Sequence, residues 1–150
     1  IKSFLSDEEI KLLAVRRSNL MFNWQKPTVQ MLGRWQPWHD GHTALFKKAL
    51  EINGQVCIMY RDVAGADAGV EGQADNPFDF EDVKKRIVSG LAEHGYKENE
   101  DFVVIKVPNI VDISYGRGVG YTFTEHDLGE EIHKISATKI RADMRKKEEL

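Results

Sequence analysis

The stretch of sequence that decides the fold runs from residue 33 to residue 42 and reads Gly33-Arg34-Trp35-Gln36-Pro37-Trp38-His39-Asp40-Gly41-His42. We refer to it as the signature loop. An apolar run at 28–32 precedes it and predicts a buried strand, and apolar residues at helical spacing over 43–52 predict a helix after it. In open α/β folds, ligands bind at the carboxyl ends of strands, where the first turn of a helix offers unpaired N–H groups to an anion. The signature loop is therefore the first candidate for an anion-binding site.

Strands and helices alternate along the rest of the chain. The further predicted elements are strands over 55–60 and 102–107 and helices over 79–93 and 136–146. This order is typical of an α/β fold in which a mostly parallel sheet is flanked by helices.

The domain organisation is predicted to be simple. Residues 27–150 are expected to form one domain. A capping-box pattern at Ser6 to Glu9 predicts a helix over 7–19, so residues 1–26 are expected to be a helical arm or a linker. Residues 61–76 are predicted to form a long loop, and such loops are commonly functional or mobile.

Composition narrows the classes of function. The net charge is −3 and the pI is about 6.0, which gives no electrostatic reason to expect a nucleic-acid partner. No apolar stretch is long enough to cross a membrane. The single cysteine, Cys57, lies in an apolar run and is expected to be a buried, inert thiol, which fits a cytoplasmic setting. A homo-oligomer and a fused upstream domain both remain open.

Two histidines in the signature loop suggest a phosphate site. His39 and His42 are three residues apart, so they share a face on a helical turn and can both donate hydrogen bonds to phosphate oxygens. Gly41 between them is expected to let a bulky ligand approach the backbone. The alternatives are two surface histidines or two metal ligands. A metal site requires a third ligand that is not evident nearby, so we predict no metal held by protein side chains alone.

A second motif, residues 135–141, supplies further groups for an anion. Ser136 is a good N-cap for the last predicted helix, and Thr138 adds a hydroxyl. Arg141 can fork onto two phosphate oxygens, and Lys139 adds a charge nearby. The alternative is an ordinary capped helix with a basic face. We refer to residues 135–141 as the C-terminal motif.

The two motifs together resemble a known superfamily. The signature loop resembles the G-x-F-x-P-x-H-x-G-H signature of the nucleotidyltransferases whose core is named for the HIGH motif, with Trp35 where phenylalanine is usual. The C-terminal motif, Ile-Ser-Ala-Thr-Lys-Ile-Arg, resembles their I-S-x-T-x-I-R segment. The loop is also similar to the G-R-F-Q-P-F-H form of archaeal-type nicotinamide-mononucleotide adenylyltransferases, and Asn76-Pro77-Phe78 resembles their N-P-F segment. This resemblance implies a Rossmann-like, three-layer α/β/α fold with a mostly parallel sheet.

The resemblance also implies a reaction. A nucleoside monophosphate passes from an NTP, with ATP favoured over CTP, to a small phosphate-bearing acceptor, and pyrophosphate is released with Mg²⁺ accompanying the NTP. The residues expected to act in catalysis are His39, His42 and Arg141. Those expected to contact the nucleotide and its phosphates are Gly33, Arg34, Trp35, Gln36, Gly41, Ser136, Thr138 and Lys139. Those expected on the acceptor side are Asn76, Phe78 and Arg117.

Several alternatives stay open at this point. Cytidylyl transfer to a phosphorylated alcohol or amine is the second enzymatic hypothesis, and a non-catalytic nucleotide-binding module of a larger protein is the third. The glycine-rich segment 116–120 either cradles a phosphate or is a structural turn. Asp62 and Asp67 either lie near a metal or are solvated. The aromatic side chains of Trp35, Trp38 and Phe78 either stack on a ligand ring or pack in the core.

Overall fold

The computed structural model describes residues 6–9, 21–63, 76–118 and 120–147. In chain order, the elements are β1 (Val29–Gly33), α1 (Asp40–Asn53), β2 (Val56–Arg61), α2 (Phe80–Ala92), β3 (Phe102–Val107), α3 (Glu130–His133) and α4 (Ala137–Lys146). The predicted alternation of strands and helices is confirmed, with boundaries shifted by at most a few residues. The short helix α3 was not predicted, because a single turn is too short to show a periodicity.

The sheet is parallel, and its order is β1-β2-β3. Val29 pairs with Val56, which in turn pairs with Phe102, and this register continues along the strands. Parallel neighbours need a crossover connection, and α1 and α2 occupy the two crossovers. The α/β class and the parallel sheet are therefore confirmed for the part of the chain that the structure describes.

One face of the sheet carries the core. Along β2 the side chains alternate between buried and half-buried, so Val56, Ile58 and Tyr60 point to the covered face. Two crossovers that run in the same direction along a sheet, both right-handed, place their helices on the same face. The buried side chains of these helices join that core: Thr43, Phe46 and Ala49 from α1, and Val83, Ile87 and Leu91 from α2.

Helix α1 begins three residues earlier than its apolar periodicity predicts. His39 is its N-cap, with φ −141° and ψ 179°, and its ring accepts a hydrogen bond from the backbone of Gly41. The helix ends at Gly54, whose φ of 77° is left-handed and whose N–H bonds to the carbonyl of Leu50. A histidine is not a usual N-cap, so sequence rules place the helix start too late.

Residues 21–28 are tied to the amino end of the sheet. The side chain of Gln55, which precedes β2, accepts from the backbone N–H of Asn23 at 3.1 Å and donates to its carbonyl at 2.7 Å. Phe22 donates to the carbonyl of Asn99, next to β3, at 2.7 Å. The end of the predicted arm therefore contacts the domain through backbone hydrogen bonds.

Other predictions fall wholly or partly on undescribed residues. Residues 7–9 are helical and Ser6 forms the predicted capping box with Glu9, whereas the rest of the predicted helix, 10–19, lies outside the described residues. Most of the predicted loop 61–76, including Asp67, also lies outside them. Among the described helices, none has the length and apolar character needed to cross a membrane.

Candidate functional site

The signature loop begins at the carboxyl end of β1 with a tight backbone. Trp35 has a φ of 51°, a left-handed conformation that a bulky side chain rarely adopts, and the Gln36–Pro37 peptide bond is cis. The left-handed conformation of Trp35 is strained, and residues of this kind are common at functional sites, where the surrounding structure holds them in place. The buried indole of Trp35 donates to the carbonyl of Met59 in β2 at 3.0 Å.

The Trp35 ring explains why residue 33 is a glycine. A Cβ added to Gly33 would lie 2.8 Å from two ring carbons of Trp35, closer than real Cβ contacts. We expected Gly33 and Trp35 to contact the nucleotide. Instead, the ring of Trp35 covers Gly33, so these two residues shape the loop from within.

His39 and His42 form a reciprocal cap at the start of α1. The Nδ1 of His39 accepts from the backbone N–H of Gly41 at 3.0 Å, and the Nδ1 of His42 accepts from the backbone N–H of His39 at 3.2 Å. Their rings are stacked, with centroids 3.7 Å apart and planes 17° from parallel. This is the capping-box arrangement, with histidines in place of the usual serine or threonine and glutamate.

The cap fixes the protonation of both rings. Because each Nδ1 accepts a hydrogen bond, each ring is a neutral tautomer whose proton is on Nε2. Burial lowers the pKa of His39, outweighing the opposing influence of Asp40. Burial, together with the neighbouring His39, lowers the pKa of His42 to about 3. The pair therefore offers two neutral Nε2–H donors, and neither ring carries a positive charge near neutral pH.

Two tryptophans hold the His42 ring in place. Trp35 meets it edge-on with ring centroids 4.8 Å apart, and Trp38 lies against it at 5.3 Å. The indole N–H of Trp38 donates to the hydroxyl of Thr43 at 2.9 Å, which fixes the second ring in turn. Trp35, Trp38 and Phe78 are all buried in the core cluster, so the packing alternative holds for these rings.

Gly41 has a steric role within the cap. A Cβ added there would lie 2.8 Å from Cε1 and 3.0 Å from Nδ1 of His39. The space that we expected a ligand to use is therefore occupied by the ring of His39, which needs a residue without a side chain beside it.

Helix α4 begins at the C-terminal motif as predicted. Ser136 is the N-cap, and its hydroxyl accepts from the backbone N–H of Lys139 at 3.4 Å. Thr138 and Lys139 are exposed in the first turn, where the helix dipole favours an anion. The predicted N-capped start of α4 is therefore present.

Arg141 joins the two motifs. Its buried guanidinium donates through one terminal nitrogen to the backbone carbonyl of Gln36 and through the other to the hydroxyl of Thr138 at 3.3 Å. The motifs lie about a hundred residues apart in sequence, and this contact brings the start of α4 to the signature loop. We expected Arg141 to reach the leaving pyrophosphate, whereas the contacts found here place its guanidinium inward on the loop.

Gln36 links a third segment to the same loop. Its buried side-chain amide accepts from the backbone N–H of Phe78 and donates to the carbonyl of Phe78, both at 2.9 Å. It also donates to the carbonyl of Arg34 at 3.2 Å. We expected Gln36 to contact the nucleotide. The structure gives its side chain a clamping role between the loop and the segment that precedes α2.

The residues expected on the acceptor side are distributed differently. Asn76 and Phe78 are buried, and the guanidinium of Arg86 lies 4.5 Å from the centroid of the Phe78 ring. Arg117 is exposed in a region without helix or strand, and no contact among the described residues joins it to the loop. Phe78 is thus joined to the loop through Gln36, whereas Arg117 is not brought to it.

The described side chains build no cage for a metal. Within the described ranges, no group of three or more His, Cys, Asp or Glu residues is placed to hold an ion. Asp62, one of the two acidic candidates, lies 3.6 Å from the ammonium of Lys106. A metal that is bound mainly by phosphate oxygens and water needs no such cage.

Sequence reasoning missed two features of this site. The clamp between Gln36 and Phe78 could not be read from spacing, since the partners are 42 residues apart. Arg61, at the carboxyl end of β2, was passed over as part of a loop, although a charged residue that ends a predicted buried strand is a usable signal.

Comparison of the chain with protein-family models, with curated proteins and with solved structures finds no match.

Proposed function

We propose that this protein is a nucleotidyltransferase. It transfers a nucleoside monophosphate, AMP in preference to CMP, from an NTP to a small phosphate-bearing acceptor and releases pyrophosphate. The proposal includes the finer fold expectation, the three-layer HIGH-motif architecture, with a site formed by the signature loop and the start of α4.

The observation that carries the proposal is the stacked pair of neutral histidines. His39 and His42 use Nδ1 within the cap, so each keeps an Nε2–H as its donor. A pair of solvated surface histidines would not be stacked and half-buried, with the ring of His42 held by two tryptophans. The N-capped start of α4, tied to the loop by Arg141, adds a second set of donors suited to an oligophosphate.

The chemistry that these groups support is in-line displacement at phosphorus. An oxygen of the acceptor phosphate forms a bond to the α-phosphorus of the NTP. The bond from that phosphorus to the bridging oxygen breaks, and pyrophosphate leaves with the electron pair. An acceptor phosphate is already ionised near neutral pH, so no general base is required, and catalysis consists of positioning and charge stabilisation.

Neutral histidines with a lowered pKa suit this role. They donate hydrogen bonds to phosphate oxygens without being consumed as bases, and the lowered pKa of His42 keeps it neutral over the working range. We assign His39 and His42 to the α- and β-phosphates, and the first turn of α4, with Ser136 and Thr138, to the β- and γ-phosphates. Mg²⁺ would accompany the triphosphate and neutralise its charge.

The test is pyrophosphate release with Mg²⁺, in which ATP and CTP are each paired with a panel of phosphorylated acceptors that includes nicotinamide mononucleotide. Release that depends on both substrates supports the proposal and identifies them. Preference for CTP with a phosphorylated alcohol or amine would favour the cytidylyltransferase. Binding of an NTP without release across the panel would favour the non-catalytic nucleotide-binding module.

A further inference from the structure

Arg61 is a charged residue with a buried side-chain donor for which the described residues supply no acceptor. It ends β2, the central strand of the described sheet, and is half-buried. Its Nε is buried and has no hydrogen-bond partner in the part of the chain that the structure describes. By contrast, Arg86 is paired with Asp82 at 3.2 Å. A buried guanidinium donor of this kind costs free energy unless it is given an acceptor.

The register of the sheet places Arg61 at the edge where the signature loop begins. Gly33, the last residue of β1, pairs with Tyr60, so Arg61 lies one residue beyond that pair, where β1 gives way to the loop. Alternation along β2 puts the Arg61 side chain on the sheet face opposite Tyr60. The carboxyl edge of a parallel sheet is where ligands of this fold class bind.

We propose that Arg61 binds the phosphate group of the acceptor. This inference rests on the proposed function, in which both substrates carry phosphate. The donors assigned to the triphosphate come from the loop after β1 and from α4, whereas Arg61 comes from the neighbouring strand. A guanidinium forks onto two phosphate oxygens and offsets the repulsion between two anionic substrates.

The kinetic test compares Arg61→Gln with the wild-type protein. Lys85→Gln is the matched control, because it removes the same unit charge from an exposed position on α2. Loss of a charge-assisted hydrogen bond to phosphate should raise the KM for the acceptor about 10- to 100-fold in Arg61→Gln. The KM for the NTP should stay unchanged, and Lys85→Gln should behave like the wild type. A rise in the KM for the NTP instead, or no change in either KM, would overturn the assignment.

A stability measurement separates ligand binding from a structural role. Arg61→Met keeps the apolar stem and removes the unsatisfied donor, so its Tm should equal or exceed that of the wild type. A structural arginine would behave in the opposite way. A clear drop in Tm in both Arg61→Met and Arg61→Gln would show that Arg61 supports the fold, and would overturn the proposal.

Direct binding distinguishes a failure of this inference from a failure of the proposed function. Nicotinamide mononucleotide and inorganic phosphate are titrated calorimetrically with Mg²⁺ and excess α,β-methylene-ATP, which cannot be cleaved at the α–β bridge. Weaker binding to Arg61→Gln than to the wild type supports the role of Arg61, and equal binding refutes it. If the protein neither binds the ATP analogue nor releases pyrophosphate, the proposed function fails, while the phosphate titration still decides the role of Arg61.

Discussion

At the scale of single residues, the two histidines at the start of α1 combine a structural and a chemical task. Each Nδ1 completes the cap of the helix, and each Nε2–H is left to donate. The cap requires both rings to be neutral, because a protonated Nδ1 cannot accept a hydrogen bond. Protonation of either ring therefore opposes folding as well as the proposed binding of phosphate through a neutral donor.

This requirement predicts how stability depends on pH. The pKa of His42 is lowered from 6.5 to about 3 in the folded protein, so below pH 6.5 the unfolded chain binds a proton that the folded chain does not. As the pH is lowered, the free energy of unfolding should therefore decrease, by about 1.4 kcal/mol per pH unit between roughly pH 6 and pH 4 for this one group. Urea denaturation at pH 7.5 and at pH 5 measures the loss.

The matched control is His42→Gln. Glutamine at this position of a capping box can still reach the N-cap backbone, so the helix start is preserved while the titrating ring is removed. The variant should lose less stability than the wild type between the two pH values. An equal loss in both proteins would show that His42 is not the group responsible.

A second prediction at this scale concerns the glycine beneath Trp35. Gly33→Ala should lower the free energy of unfolding by about 1–3 kcal/mol, because a methyl group there overlaps the buried ring. Gly116→Ala is the control, since nothing lies within 4 Å of a Cβ built at Gly116. Thermal denaturation compares the two. A Gly33→Ala variant as stable as Gly116→Ala would mean that the ring is not packed against this position.

At the scale of an element, the start of α4 is expected to affect both stability and nucleotide binding, and substitutions of Ser136 can separate the two effects. Ser136→Ala removes the N-cap and should cost about 1 kcal/mol of stability. Ser136→Asp retains a good cap and should keep the stability, but it places a carboxylate where a phosphate is proposed to bind. Its affinity for the Mg²⁺ complex of ATP, measured by calorimetry, should therefore fall well below that of the wild type.

The control for this pair lies on another helix. Asp79 is the N-cap of α2, where its side chain accepts from Asp82. Asp79→Ser replaces an aspartate N-cap by a serine N-cap, the reverse of Ser136→Asp. It should leave the affinity for the nucleotide unchanged. If Ser136→Asp bound the nucleotide as tightly as the wild type, the assignment of the start of α4 to the phosphate site would be wrong. Burial makes Arg141 a less suitable probe, because its replacement would also leave the carbonyl of Gln36 without its donor.

At the scale of the whole molecule, Gln36 connects segments that are distant in sequence. Its side chain binds Phe78 and its carbonyl accepts from Arg141, so one residue of the signature loop contacts both the segment before α2 and helix α4. Gln36→Leu should lower the free energy of unfolding by about 1–3 kcal/mol. The N–H of Phe78 would be buried without a partner, and its carbonyl would keep only the hydroxyl of Tyr60 at 3.4 Å. Chemical denaturation measures this cost.

Gln36→Glu provides the graded comparison. A glutamate can still accept from the Phe78 N–H, but its ionised carboxylate cannot donate to the Phe78 carbonyl, so its stability should lie between those of the wild type and Gln36→Leu. Amide hydrogen exchange at Phe78 should accelerate in the same order. Wild-type stability in Gln36→Leu would show that the clamp contributes little to holding the segments together.

Sequence reasoning was most successful where a property is local. The strand at 102–107 was predicted with its observed boundaries, because a run of apolar β-branched residues between turns is a short-range signal. Ser136 was predicted as an N-cap for the same reason. It did not reveal the partners of Trp35 and Gln36, which bind the carbonyl of Met59 and the backbone of Phe78. Those partners are contributed by other strands and segments. The predicted contact of Trp35 and Gln36 with a nucleotide stays a prediction.

The sequence alone thus determined the order of the three strands and the three longer helices, the N-cap of α4 and the place of the candidate site at the end of β1. These features depend on side-chain periodicity and on groups within a few residues of one another. Only the tertiary structure decided that the signature loop and α4 meet through Arg141 and that Gln36 clamps Phe78. It also decided that Arg61 ends a central strand with a buried donor that has no partner among the described residues. These features arise when distant segments pack against one sheet, and burial then determines whether a polar group finds its partner within the chain or requires one from a ligand.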